Sequence, residues 1–160
     1  MGNDARAKEP AGSGPVMLAL STFRRSDAAI NLALERAVTA GRLVVVYVAD
    51  KNLARYFVGT DIGMYPTLKD RCEEEMLQEH ERIGREHVEE IARRARERNL
   101  TTATHVQRGR FAEVCLEIAG REKPSLVVTT RSKRPAWVKK FFGSPVDHLI
   151  ANVGCPVEEV

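Results

Sequence analysis

Leu43-Val44-Val45-Val46-Tyr47-Val48 is an unbroken apolar run rich in β-branched residues. A strand with one wet face would alternate apolar and polar residues. This one does not, so it belongs inside a sheet covered on both faces, the usual state of a parallel sheet. Parallel neighbours need long crossover connections, which are usually helices. The run therefore asks for helical segments before and after it.

Those segments are present. Val16-Met17-Leu18-Ala19-Leu20 is too short for a helix and reads as a buried first strand. Ser26 offers an N-cap, Ile30, Ala33, Leu34, Ala37 and Val38 form a helical stripe, and Gly41 suits the helix end. Asn52 to Leu68, with Gly59, Gly63 and Pro66, reads as a loop. A long charged helix is expected from about Lys69 to Arg98. Its inward stripe is Cys72, Met76, His80, Ile83, His87 or Val88, Ile91 and Ala95.

Thr101 to Val106 is the next strand, turning at Gly109. Phe111, Val114, Cys115, Ile118 and Ala119 mark a helix that runs out between Gly120 and Pro124. Leu126-Val127-Val128-Thr129-Thr130 is a further buried strand. Val146, Leu149, Ile150 and Val153 mark a last helix stopped by Gly154, and Pro156 to Val160 is a short final strand. Strict β-α alternation predicts an α/β, doubly wound, five-stranded parallel sheet with helices on both faces, a Rossmann-like architecture.

The remaining bounds are set by composition. A chain of 160 residues is enough for one domain with a single core. Residues 1–15 carry Gly, Pro and mixed charge without an apolar core and read as a disordered leader, leaving 16–160 as the domain. Position 6 is Arg6, where an N-myristoylation motif wants Ser or Thr. With no apolar run of membrane-spanning length, the expectation is a cytoplasmic protein without a membrane partner. A net charge of +3 argues against nucleic acid as a partner. Cys72, Cys115 and Cys155 are an odd, widely spaced set and read as reduced thiols.

The closing stretch, LVVTT followed by FFGSPVDHLIANVGCPVEEV, carries a family resemblance. Gly143-Ser144, an amphipathic helix, and Cys155-Pro156-Val157 are similar in order and spacing to the ending of universal stress protein domains, and the resemblance covers residues 16–160. It implies the strand order 3-2-1-4-5 and a homodimer through the C-terminal edge strand. It also implies a nucleotide crevice built from Ser21, Val48, Thr130, Arg131, Lys133, Gly143 and Ser144.

That crevice departs from the family's nucleotide-binding pattern, a fourth strand followed by G-x2-G-x9-G-[ST] and an Asp ending the first strand. Thr130 and Lys133 stand at the first two glycines, Ser21 stands at the Asp, and Gly143-Ser144 is retained. Glycines there let the backbone approach a phosphate without a Cβ in the way. Pro145 has no N–H to offer, and Asp147 puts a negative charge in the first turn of the helix. The expectation is a binding or regulatory protein of the stress response with no cofactor, or ATP held weakly. The alternatives are a nucleotide-binding member with a modified basic loop, and a slow nucleotide hydrolase.

Arg131, Lys133, Arg134, Lys139 and Lys140 are either a solvated surface or cations standing in for glycine amides. Trp137, Val138, Phe141 and Phe142 fit a short helix packed on the sheet, or a stripe for a protein partner or a membrane surface. No metal site is expected. Four residues after His80 stands Gly84, which breaks the HExxH pattern, and His80 and His87 are two turns apart. No catalytic motif is present, so no catalytic residue is assigned.

Overall fold

The computed structural model describes residues 12–22, 24–52, 54–55, 66–131 and 144–160. Its elements are β1 (Val16–Ser21), α1 (Asp27–Ala40), β2 (Arg42–Asp50), α2 (Pro66–Arg96), β3 (Thr101–Gly109), α3 (Phe111–Glu122), β4 (Leu126–Thr129), α4 (Pro145–Asn152) and β5 (Val157–Glu159). The five strands form one sheet in the order β3-β2-β1-β4-β5. Every neighbouring pair is parallel.

The unalternated strands are buried on both faces because two cores share them. Val16, Leu18 and Leu20 of β1, with Leu43, Val45 and Tyr47 of β2, pack against α1 and α2. The intervening Met17, Ala19, Val44, Val46 and Val48 point the other way, against α3 and α4. This is the period of two of a strand, read by a different helical layer on each side.

Local signals set the helix ends. Ser26 Oγ accepts from the Ala29 N–H, and Gly41, at φ 72°, returns its own N–H to Ala37. The left-handed turn there is one that glycine adopts without strain. Among the described residues no helix is long and apolar enough to cross a membrane.

Several boundaries differ from the sequence reading. α2 begins at Pro66 rather than Lys69, since proline is well suited to a first helical turn. Its buried stripe is Leu77, His80, Gly84, Val88, Ile91, Ala92 and Ala95, whereas Cys72, Met76 and Ile83 are half-buried. The stripe turns on Gly84, which lies against the Tyr47 ring. α4 ends at Asn152 and is capped by Val153, whose N–H returns to Leu149, one residue before the Gly154 stop. β2 and β3 each run to nine residues, longer than their apolar runs. At the start of the domain, Ser125 binds the carbonyls of Gly14 (2.8 Å, from Oγ) and Pro15 (2.9 Å, from N), tying these leader residues to the sheet.

Candidate functional site

β1 lies between β2 and β4; the crossover from β1 to β2 runs through α1 on one face of the sheet, and the crossover from β3 to β4 runs through α3 on the other. Chains that diverge in this way open a crevice at the carboxyl ends of the strands, where α/β sheets bind ligands. Here the crevice is bounded by Ser21 at the end of β1 with Thr22 and Arg24 to Ser26 after it, Asp50 at the end of β2, Gly109 to Phe111 between β3 and α3, and Thr130-Arg131 after β4.

The sequence-predicted residues fall around this rim in unequal roles. Ser21 is buried at the end of β1 and pairs in register with Val48 of β2. The Val48 side chain belongs to the α3 core, so it does not line the crevice. Thr130 is buried, while Arg131 is exposed and gives its N–H to the Val160 carbonyl at 2.8 Å. Ser144 caps α4, its Oγ accepting from the Asp147 N–H at 3.4 Å, with Pro145 in the first turn. Lys133 and Gly143 lie outside the described residues, as do Arg134 and the stretch from Trp137 to Phe142.

What closes the crevice is a residue that sequence reasoning did not single out. The Arg24 guanidinium lies over the Phe111 ring, 5.1 Å from its centroid. It also donates from Nη1 to the Thr130 carbonyl at 3.4 Å. In return the Thr130 hydroxyl donates to the Arg24 carbonyl at 3.2 Å. One step earlier, Thr129 Oγ1 donates to the Ala19 carbonyl at 3.0 Å. Thr129 of β4 and Thr130 just after it thus bond to β1 and the segment after it.

Thr22, next to Ser21, turns toward β2, accepting from the Tyr47 hydroxyl at 3.0 Å. Burial pushes the Tyr47 phenol up, and this hydrogen bond only partly offsets the shift. The Arg24-Arg25 pair directly after an apolar strand was the available signal. Two cations at a strand's carboxyl end are unusual enough to inspect, although nothing in sequence says which side chain turns inward.

Neither histidine of α2 is a metal ligand in any arrangement seen among the described residues. His87 Nε2 lies 2.8 Å from Arg25 Nη1, and its ring meets Tyr47 edge-on at 6.0 Å. None of the three cysteines forms a disulfide; Cys115 and Cys155 are buried and Cys72 is half-buried. Burial raises the Cys115 thiol far above the ordinary range.

These features define a doubly wound α/β domain with a crevice at a topological switch point. The universal stress protein family model matches residues 13–158, and the chain belongs to that family. Among solved structures it is similar to the universal stress protein UspA of Lactobacillus plantarum, with 16% identity, a TM-score of 0.67, and coverage of 91% of this chain and 97% of that one. A family member from Arabidopsis thaliana with AMP bound is 15% identical, with a TM-score of 0.55 over 91% of this chain and 90% of that one. A universal stress protein in complex with cAMP is 14% identical, with a TM-score of 0.55 over 92% and 96%. At these identities the likeness is one of fold. No curated protein matches the chain.

Proposed function

We propose that this chain is a binding or regulatory protein of the stress response rather than an enzyme, and that it holds ATP weakly or not at all. The observation that carries this reading is the clasp between Arg24 and Thr130. Its two hydrogen bonds, with the guanidinium laid on Phe111, lie across the carboxyl ends of the first and fourth strands. A nucleotide entering there must displace them. Ser144 is engaged with its own helix, and Pro145 removes an amide from the first turn of α4.

The AMP and cAMP carried by two structural neighbours favour a second reading, nucleotide binding through a modified loop. Arg24 and Arg131 are the cations that would serve it, once the clasp opens. Thermal denaturation with and without millimolar Mg-ATP separates the readings. A ligand at 100 times its dissociation constant stabilises by about 2.7 kcal/mol. The expected result is no saturable rise in Tm, and a saturable rise would establish the second reading.

The proposal includes a homodimer along β5. Among the described strands, β5 pairs with β4 alone, and an open edge invites a second copy. The Glu158 carboxylate reaches back to Arg36 of α1 at 3.2 Å, which moderates the like-charge approach that such a seam would create. Lys139 and Lys140, the other candidate counter-charges, lie outside the described residues. Sedimentation at micromolar concentration should give a dimer that truncation before Pro156 abolishes. A monomeric intact chain would refute the assembly.

A further inference from the structure

The segment that closes the crevice is anchored on both sides of the sheet by consecutive residues. Arg24 reaches Phe111 on the α3 side. Arg25 reaches α2 on the other, with Nη1 2.8 Å from His87 Nε2 and Nη2 3.4 Å from Glu90 Oε2. Ser26, the N-cap that follows them, is extended, and the Arg24 N–H bonds to the Ser21 carbonyl at 2.9 Å. Arg24 and Arg25 share a peptide bond and hold opposite faces of the domain, so a backbone shift at one residue moves the other.

The contact between Arg25 and His87 depends on one proton. A guanidinium only donates, so His87 Nε2 must present its lone pair and the neutral ring must carry its hydrogen on Nδ1. That Nδ1 is buried with no hydrogen-bond partner. A second proton on the ring would sit on Nε2, directed at a cation that is always charged. We propose that His87 is a proton-operated latch on the crevice: neutral, it holds Arg25 and keeps Arg24 clasped to Thr130; protonated, it expels Arg25 and loosens residues 24–26.

The charged and titratable groups facing His87 are Arg25 from the segment after β1, Glu86 and Glu90 from its own helix, and Tyr47 from β2. Asp27 of α1 lies 4.0 Å from Arg25. Burial and the Arg25 charge lower the His87 pKa, and the two glutamates partly oppose them. The latch therefore stays closed at neutral pH and opens on the acid side of about 6.5. On protonation Glu86 and Glu90 favour the imidazolium, while Arg25 loses its shorter acceptor, His87, and is left with Glu90.

This inference rests on the reading of the crevice as closed, and its test separates the two. Amide exchange of Arg24, expressed as protection relative to the unstructured chain, is followed in the full-length protein from about pH 7.5 to about pH 5. The His87 ring is titrated by NMR in the same samples. Protection of the Arg24 amide should fall by about tenfold or more as the His87 ring gains its proton, since an opening worth 1.4 kcal/mol is a factor of ten. In His87→Gln the amide oxygen can still accept from Arg25 but cannot titrate, so protection should stay level. A level profile in the parent, or an equal fall in His87→Gln, would overturn the latch. Arg25→Ala should leave the Arg24 amide weakly protected at both pH values, and unchanged protection would also overturn it. Mg-ATP added at about pH 7.5 tests the closed-crevice reading alone, because the exchange profile without nucleotide does not depend on it.

Discussion

Gly84 of α2 lies against the ring of Tyr47 so closely that a Cβ there would come within 3.0 Å of Cδ1, Cε1 and Cγ. Tyr47 is fully buried and its hydroxyl is engaged by Thr22, so the ring has little room to retreat. Replacing a helical glycine by alanine ordinarily favours the helix by about 1 kcal/mol. Here overpacking, which costs about 1–3 kcal/mol, should prevail. Gly84→Ala is therefore expected to lower stability in urea unfolding, and a more stable variant would show that α2 can move off β2.

Thr130→Val tests the clasp as a structural element. The exchange keeps the side chain's shape but removes the donor to the Arg24 carbonyl. Its expected cost is about 0.5–1.5 kcal/mol, the net worth of one hydrogen bond. Circular dichroism should show an unchanged fold with a lower Tm. An unchanged Tm would mean that water replaces the threonine without loss.

The thiols should differ in reactivity. Cys115 is fully buried, and its desolvation favours the unreactive protonated form. Native-state alkylation followed by mass spectrometry should label Cys72 first, with Cys115 and Cys155 modified only after unfolding. Early labelling of Cys115 would indicate that α3 opens readily.

Stability should fall on mild acidification. His80 and His87 have folded pKa values below the ordinary value, in both cases chiefly through burial. The unfolded chain therefore takes up these protons first as pH falls. The contribution is complete above about 6.5 and is lost progressively as pH drops toward the folded values. Glu74 and Glu79, lowered by hydrogen bonds from Arg108 and Arg82, act in a separate window. Their contribution is present above about 4.5 and lost below it as the folded pKa is passed. Urea midpoints measured from about pH 8 to about pH 5 should decline, and combining His80→Gln with His87→Gln should flatten the decline. An equally steep decline in the double variant would assign it to other groups.

The elements were legible because their signals are local. The unalternated run at Leu43 to Val48 announced a strand buried twice, and Ser26 and Gly41 marked both ends of α1. Strand order came from the family resemblance, since periodicity does not say which strands are neighbours. The α2 stripe agrees with the buried line at His80, Val88, Ile91 and Ala95 and slips by one residue at Met76 and Ile83, where the line runs through Leu77 and Gly84. Gly84 adds no apolar signal at a position chosen by the Tyr47 ring, while Met76 and Ile83 supplied a strong one beside it. At the site, glycine spacing pointed to Thr130 and Ser144. It could not point to Arg24, whose role arises from Phe111, a residue far away in the chain.

β1 leaves no position unread. Val16, Leu18 and Leu20 fit one helical layer, and Met17 and Ala19 fit the other. For a lineage accumulating substitutions, this strand offers no drifting side. A change at any of its positions must match the shape of one layer without help from solvent, and inserting a single residue would exchange the occupants of both cores at once. Innovation is directed instead to the segment just beyond its end, where Ser21 gives way to Arg24 and Arg25. There the same rigid strand can aim new chemistry at the crevice.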